Sequence, residues 1–313
     1  MNSGHSVESG NDKSIFPIWA CVVCYLPDLQ TLERLVSVLS PQVERVLLMD
    51  NSPGPLIGVE SLLAPKVAYL KMPGNLGTAG ALNRGWALAI EAGAGAVVSF
   101  DQDSTVTGDL VTELARNYQK LCSDGQVVAA IGPRIVDPRS GRPARIRHPQ
   151  KLFRFHKVAC VGPPVAVDHL ISSGSLVPAS SFRAVGEFSE LLFLDYVDIE
   201  WSLRARMAGY SVYVVPGLFM NHTIGDKILS LGGRSLPIHK PFRTYLLIRN
   251  HLLLWRSPAA KLFWLLSDFR QLVAKLIILL IIQPQRLLRL RLVLLGMWHG
   301  IAGLGGGPKN FGE

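Results

Sequence analysis

The sequence predicts an α/β protein, a mostly parallel sheet flanked by helices, followed by a helical C-terminal region. Three observations carry this. Short apolar runs alternate with amphipathic segments from Ile18 to about Val215, the pattern of strand–helix–strand units with helices on both sheet faces. One of those runs, Ala96–Phe100, ends abruptly in Asp101-Gln102-Asp103-Ser104, and ligands in open α/β sheets bind at the carboxyl ends of strands. Beyond Ile224 the strand pattern gives way to long apolar segments punctuated by Arg and Lys.

In order, Ile18–Tyr25 reads as the first strand. Pro27-Asp28 closes it and opens a helix to about Leu39, with Leu32, Leu35, Val36 and Leu39 on one face. Val43–Met49 is a second strand ended by the turn Asp50-Asn51-Ser52-Pro53-Gly54, and Val67–Leu70 a short third. The loop Pro73–Thr78 leads into a helix over Ala79–Ala92. The strands Ala96–Phe100 and Val127–Ile131 follow, separated by a helix carrying Leu110, Leu114, Tyr118 and Leu121 on one face. From Pro133 to about Pro164 regularity stops. Arg134, Arg139, Arg142, Arg145, Arg147 and His148 fall there among Pro and Gly, either as a solvated basic loop or as a loop that covers a polyanionic ligand.

Val167–Val177 reads as a further strand, in which Gly174 permits close backbone approach. Val197, Trp201, Arg204 and Ala208 share one side of a helix that Gly209 stops, and Asp195, Asp198 and Glu200 crowd its first turn. Acids are favourable at a helix N-terminus, yet three in so short a stretch exceed what capping needs. Ser211–Val215 is a strand that Pro216-Gly217 ends, shortly before Asn221-His222. Leu262–Leu266 and Leu272–Ile282 are apolar but interrupted by Asp268, Arg270 and Lys275, which breaks the roughly 20-residue apolar run a membrane span needs. Gln283–Leu295 alternates Leu with Arg286, Arg289 and Arg291, a pattern suited to an anionic membrane interface or to packing as a helical pair. The expected organisation is a disordered start over 1–14 without a signal-peptide core, a catalytic domain over 15–225 and a helical, amphipathic region over 226–313.

A chain of 313 residues with 49% apolar and 18% charged side chains has ample material for a folded core and is not disordered. Its net charge of +9 favours anionic partners: phosphates, an anionic membrane surface, or nucleic acid. No zinc finger, helix-turn-helix or aromatic-rich RNA motif accompanies that charge, which argues against nucleic acid. Cys21 and Cys24 have C-x-x-C spacing but point to opposite faces of a strand. With Cys122 and Cys160 they read as ordinary thiols of a reducing compartment.

Chemistry concentrates on the acids. Two carboxylates spaced i, i+2 at a strand end suit a hard divalent cation such as Mg²⁺ or Mn²⁺, although Asp and Ser also make ordinary turns. With a neutral His222 as a further ligand, such a cation would bridge a diphosphate. Asp198 would then remove a proton from an attacking hydroxyl. That set describes glycosyl transfer from an activated sugar. Asp101–Thr105 also fits the Asp-x-Asp-x-Thr signature of haloacid-dehalogenase-type phosphatases, but those carry it on their first strand. Gly74-x-x-Gly77-x-x-Gly80 has the wrong first spacing for a dinucleotide fingerprint.

The motifs Tyr25-x-Pro27, Asp50-Asn51-Ser52, Gly74-Asn75-x-Gly77-x-Ala79-x-Ala81-x-Asn83-x-Gly85, Asp101-Gln102-Asp103-Ser104 and Ser173-Gly174-Ser175 follow one another in order. Phe193-Leu194-Asp195-Tyr196-Val197-Asp198-x-Glu200-Trp201, His222 and Arg249-Asn250 complete the series. Together they resemble the inverting nucleotide-sugar glycosyltransferases of GT-A fold (glycosyltransferase family 2), most of all bacterial rhamnosyltransferases. The resemblance implies a Rossmann-like catalytic domain that moves L-rhamnose from dTDP-L-rhamnose, or galactofuranose or a hexose from a UDP donor. The acceptor would be a saccharide or lipid-linked molecule of cell-surface polysaccharide synthesis, at the inner face of the plasma membrane. It further implies that Asp50, Tyr25 and Pro27 line the nucleotide pocket, with Asp101 near the ribose beside Gln102 and Gly174. Asn75, Gly77 and Asn83 would shape the donor pocket, and Asp103 and His222 would bind Mg²⁺ or Mn²⁺. Asp198 would be the base, with Asp195 and Glu200 as competing candidates. The chain has Leu26 where many relatives have Asn.

Overall fold

A computed structural model of the chain describes residues 16–144, 146–147, 155–156, 161–223, 227–231, 234–238, 240–283 and 285–307. The start over 1–14, and Arg145, His148 and Cys160, lie outside the described residues. The first part alternates β1 (Ile18–Cys24), α1 (Leu29–Leu39), β2 (Arg45–Asp50), β3 (Val67–Lys71), α2 (Gly77–Glu91), β4 (Ala96–Asp101), α3 (Leu110–Ser123) and β5 (Val128–Asp137). Short pieces follow: β6 (Arg142–Pro143), β7 (Ile146–Arg147), β8 (Phe155–His156), β9 (Val165–Val167) and β10 (Leu176–Pro178). Then come α4 (Ala179–Val185), α5 (Val197–Met207), β11 (Ser211–Asn221) and the hairpin β12 (Lys227–Leu231)–β13 (Arg234–Ile238). Three helices close the described chain, α6 (Pro241–Leu254), α7 (Leu262–Ile282) and α8 (Arg286–Ala302).

The main sheet has nine strands in the order β3-β2-β1-β4-β10-β5-β11-β9, with β6 paired to β5. β3, β2, β1 and β4 run parallel, as do β5 and β11, while β10 is antiparallel to both of its neighbours. Strand periodicity sorts the core onto two faces. Ile18, Ala20, Val22 and Cys24 of β1 pack with α1 and α3, whereas Trp19 and Cys21 pack with α2, α4 and α5 around Trp86, Phe182, Phe188 and Trp201. The cysteines of the C-x-x-C therefore belong to opposite cores, and burial pushes the Cys21 thiol up to about 12. Asp28 caps α1 by accepting from Thr31 N at 2.9 Å.

Two expectations need correction. Val167–Val177 is not one strand: β9 pairs with β11 at the sheet edge, β10 lies between β4 and β5, and the chain crosses between them. Gly174 makes the crossing possible. Its φ is +82°, and a Cβ there would meet Met220 Sδ at 2.9 Å. Second, β5 and β11 do not stop at Pro133 and Pro216. They stay paired to Val136 and Asn221, with a bulge between Val215 and Phe219 that absorbs Pro216-Gly217. That extension carries Asn221-His222 to the end of β4, where Thr105 and Asn221 exchange backbone hydrogen bonds of 3.0 and 3.1 Å.

Candidate active site

The acidic edge forms where β4 runs out of neighbours. Ser104 N donates to Asp101 O at 3.1 Å to make a tight turn, and Ser173 Oγ accepts from Asp101 N at 3.1 Å while lying 2.8 Å from Ser104 Oγ. The turn presents both carboxylates outward, and the extended β11 sets His222 against them. His222 Nε2 lies 3.2 Å from Asp101 Oδ2, and Nδ1 3.7 Å from Asp103 Oδ1. The imidazole is 13% exposed, the two carboxylates 38% and 49%. Asp101 is held above the usual carboxylate range, because desolvation and the neighbouring Asp103 outweigh the attraction of His222 and Arg243. Gln102 turns the other way. Its amide clamps the backbone of Tyr25, accepting from Tyr25 N at 2.6 Å and donating to Tyr25 O at 3.1 Å.

The second acidic segment enters α5 through a strained approach. Phe193, Asp195 and Tyr196 all have positive φ, a conformation that costs non-glycine residues roughly 1–2 kcal/mol each. Buried polar groups of α6 hold it there. Asn250 Nδ2 donates to the carbonyls of Leu192 (2.8 Å), Leu194 (2.6 Å) and Asp195 (2.9 Å), and Arg249 donates to Leu192 O and Gly306 O. Arg243, two helical turns before Asn250 on the same face, grips Asp195 with Nε and Nη2. Tyr196 OH donates to Asp268 of α7 at 2.6 Å.

Within that segment the three acids have different surroundings. Asp195 is paired to Arg243. Glu200 is buried and pairs through Oε1 with Arg204 at 2.7 Å, while Arg204 in turn donates to Val185 O and Glu187 O. Asp198 is half-buried, with Oδ2 accepting from Ser172 N at 3.2 Å and Oδ1 from Ile199 N at 2.8 Å. Burial raises its pKa, and the opposing pull of His169 and the amides does not cancel that. Ser172 and Ser173 thus join the two clusters: the amide of one holds Asp198, the hydroxyl of the other holds the turn at Asp101.

The remaining predicted residues divide. Tyr25, Leu26 and Pro27 lie open at the carboxyl end of β1. Leu26 has φ +47° and donates through N to Ser52 Oγ at 2.8 Å, a left-handed backbone that suits Asn better than Leu. Asp50 has no exposed surface. Its oxygens accept from Ser52 N (2.8 Å), Tyr69 OH (2.6 Å) and Lys71 Nζ (3.1 Å), and these bonds lower its pKa against the opposing effect of burial. It braces the turn that follows β2 and offers no open oxygen to a ligand. Asn75 accepts from Gly77 N at 3.0 Å. Gly77, at φ +71°, abuts Phe193 O, 2.3 Å from where a Cβ would sit, which docks the α2 entry onto the 193–196 segment. Asn83 is buried and ties α2 to the backbone of Phe188 at 2.8 and 2.9 Å, away from any open surface. Sequence reasoning missed Arg243, Ser172 and His169. Arg243 shares its helix face with the flagged Asn250, a spacing that could have revealed it.

Among the described residues no three His, Cys, Asp or Glu side chains surround a common point in metal-ligating fashion. The donor set still fits a hard divalent ion. Asp101, Asp103 and His222 converge, and His222 Nδ1 is buried without a hydrogen-bond partner beside Asp103. Mg²⁺-type ions commonly take one or two protein carboxylates and complete their shell from substrate phosphates and water.

A mixed sheet with an acid pair and an imidazole at the carboxyl edge, and a partly desolvated carboxylate beside them, defines a glycosyltransferase of GT-A fold. Sequence comparison specifies it further. The family described as Glycosyl transferase family 2 matches residues 21–176, and the dTDP-rhamnosyl transferase RfbF of Shigella flexneri is 31% identical over 297 residues, 93% of this chain and 98% of the relative. The chain belongs to glycosyl transferase family 2. Among solved structures, S. aureus TarS 1–349 in complex with UDP-GlcNAc superposes with a TM-score of 0.56 at 11% identity, covering 92% of this chain and 81% of that one. GalNAc-T7 with UDP, GalNAc and Mn²⁺ gives 0.55 at 13% identity, over 83% of this chain and 55% of the other. At such identities these two speak to the fold alone.

Proposed function

We propose that the protein transfers L-rhamnose from dTDP-L-rhamnose, with inversion, to a hydroxyl of a saccharide or lipid-linked acceptor. The observation that carries this is the meeting of Asp101, Asp103 and His222 at one sheet edge, joined through Ser172-Ser173 to Asp198. The likeness to a dTDP-rhamnosyl transferase supports the donor. Asp198 accepts the proton of the acceptor hydroxyl as its oxygen attacks the anomeric carbon, and the bond from that carbon to the nucleotide diphosphate breaks on the opposite face. A pKa raised by burial makes Asp198 a better base than an exposed Asp. Asp103 and His222 would hold Mg²⁺ or Mn²⁺, with Asp101 beside them. The ion would offset charge on the departing diphosphate, and GalNAc-T7, of the same fold, binds Mn²⁺ with UDP. Asp195 and Glu200 serve as anchors rather than bases, because Arg243 and Arg204 already hold them. Tyr25 and Pro27 line the nucleotide pocket that Asp50 braces from below.

The division into a catalytic part over 15–225 and a part over 226–313, which carries the β12–β13 hairpin ahead of its three helices, assigns the second a location. No described helix is long and apolar enough to cross a membrane. Yet Leu262, Phe263, Leu266, Ile281, Trp298 and Ile301 are exposed on α7 and α8, and no acid lies between Asp268 and Glu313 while Arg270, Arg286 and Arg291 do. An apolar stripe with basic flanks fits the surface of an anionic bilayer, on the inner face of the plasma membrane where a lipid-linked acceptor would be met.

Calorimetry with dTDP-L-rhamnose, UDP-galactofuranose and UDP-hexoses, with and without Mn²⁺, tests the donor. The expected result is metal-dependent binding of the dTDP sugar. Metal-dependent preference for a UDP sugar moves the assignment to the second donor class, and no nucleotide sugar binding removes the proposal. Co-sedimentation with phosphatidylglycerol vesicles, lost with Trp298→Glu, tests the location.

A further inference from the structure

Residues 168–173 connect β9 to β10 and run alongside α5, held to it at three evenly spaced points. Asp168 Oδ1 pairs with Arg206, Leu170 N donates to Ser202 Oγ at 3.5 Å, and Ser172 N donates to Asp198 Oδ2 at 3.2 Å. The connection advances two residues for every four that α5 steps back. Two residues of extended chain cover about 6.6 Å and four of helix about 6 Å, so the two lengths match and the contact repeats along one face of the helix. The last point of attachment is Asp198. The next residue, Ser173, holds the turn at Asp101.

Asp168 is the fixed end of this splint. It is buried, and its Oδ2 accepts from Trp264 Nε1 at 2.5 Å and lies 3.5 Å from His169 Nδ1, while Oδ1 is taken by Arg206. Burial opposes its charge, but the bonds from His169 and Trp264 and the charge of Arg206 hold the carboxyl below its usual range. Trp264 stands in the first turn of α7, and Asp268, one turn on, accepts from Tyr196 OH at 2.6 Å. α7 thus touches both stretches that flank Asp198: the connection before β10 and the positive-φ entry to α5. A staple between α7 and the sheet needs no register with α5. The stepwise match from Arg206 to Asp198 is what ties Asp168 to the site.

We propose that Asp168 is a positioning residue for Asp198. By anchoring the connection on Arg206 and Trp264 it fixes where the Ser172 amide meets the Asp198 carboxylate, and α7 thereby takes part in turnover as well as in location. The inference rests on the transferase reading above, in which Asp198 receives the acceptor proton. A displacement of about 1 Å from a reactive geometry can cost about 10²-fold in rate. The effect therefore falls on kcat and spares the nucleotide side at the ends of β1 and β4.

The test follows dTDP released from dTDP-L-rhamnose by the full chain with Mn²⁺, water serving as the acceptor. Asp168→Asn puts an amide NH₂ donor where Arg206 or Trp264 needs an acceptor, and Trp264→Phe removes only the indole N–H. kcat should fall about 10–100-fold in the first and about three- to tenfold in the second, with KM for the donor and calorimetric dTDP affinity within about threefold of wild type. Loss of the Ser172 amide should also move the acid limb of kcat to higher pH, because that amide lowers the Asp198 pKa. Folded variants that keep wild-type kcat, or that lose donor affinity in step with kcat, overturn the inference. A kcat loss with an unmoved acid limb places the effect elsewhere than at Asp198 and overturns it as well. If Asp168→Asn does not fold, Trp264→Phe decides by the same criteria. If release by wild type is too slow to follow, carbodiimide labelling of Asp198, mapped by peptide mass, takes its place: the pH midpoint should rise in the variants, and an unchanged midpoint overturns the inference. Wild type that binds no dTDP removes the transferase reading itself, whereas intact dTDP binding with an indifferent Asp168 removes only the positioning role.

Discussion

The two acidic clusters look alike in sequence and behave oppositely in the fold. Asp101 and Asp103 sit at an exposed strand end, and a His brought from the far end of β11 lies against both of them. Asp195, Asp198 and Glu200 sit in a segment bent through three positive φ values, and each is tied to a different neighbour. The first cluster has capacity left for a ligand. The second has spent most of its capacity on architecture, and only Asp198 combines partial burial with nothing stronger than backbone amides as partners. Carboxylate density in a sequence therefore marks a region, while the competition among partners decides which carboxylate can react.

The comparison can be broken most directly at its two ends. Asp198→Asn should lower kcat by about 10²–10⁴-fold, the usual worth of a general base, while metal-dependent donor binding measured by calorimetry persists. Asp103→Ala should abolish that binding and with it turnover. If both variants lose binding, or both keep it, the assignment of separate roles fails. A pH profile sharpens the same point. Because the Asp198 carboxyl is raised by burial, kcat should fall on the acid side at a pH above the ordinary Asp value of about 3.9, and this limb should vanish from the residual activity of Asp198→Asn.

A smaller effect is expected at the clamp. Asn250→Ala leaves the carbonyls of Leu194 and Asp195 without their side-chain donor, which costs on the order of 1–3 kcal/mol for a buried group left unsatisfied. Thermal unfolding should report that loss, and kcat should fall with little change in KM for the donor. Glu200→Gln keeps the shape of the Arg204 bridge and should lower the melting temperature by a few degrees while leaving turnover within about threefold of wild type. A large loss of turnover there would return Glu200 to the list of bases. The smallest effect is at Asp50, whose pKa is lowered by Ser52, Tyr69 and Lys71. Its contribution to stability is present above the unfolded value near 3.9 and is lost as pH falls through the lower folded value. Asp50→Asn should accordingly flatten the acid-side slope of stability.

Much of the sheet was legible because a strand buried on both faces has a local signature. Ile18–Cys24, Arg45–Asp50 and Ala96–Asp101 fall within a residue or two of the expected runs. The failures share one cause. Pro133 and Pro216 are local stop signals, but strong pairing of β5 with β11 carried both strands past them through a bulge. Gly174 permits a strand and permits a crossing equally well, and only the vacancy between β4 and β5 selected the crossing. Arg243 and Ser172 gave no motif because their roles exist only in relation to Asp195 and Asp198.

By itself the sequence determined the alternation of strands and helices, the placement of Asp101 and Asp103 at a strand end, the gathering of acids before α5 and the basic, apolar character of α7 and α8. These are properties of short windows, set by hydrophobic period and by which residues end a strand or begin a helix. Tertiary structure alone decided that His222 reaches Asp101, that Asp198 is held by the amides of Ser172 and Ile199, and that α6 brings Arg243 to Asp195. Each of those outcomes depends on distant segments competing for the same hydrogen bonds and charges, and no local pattern records the result of that competition.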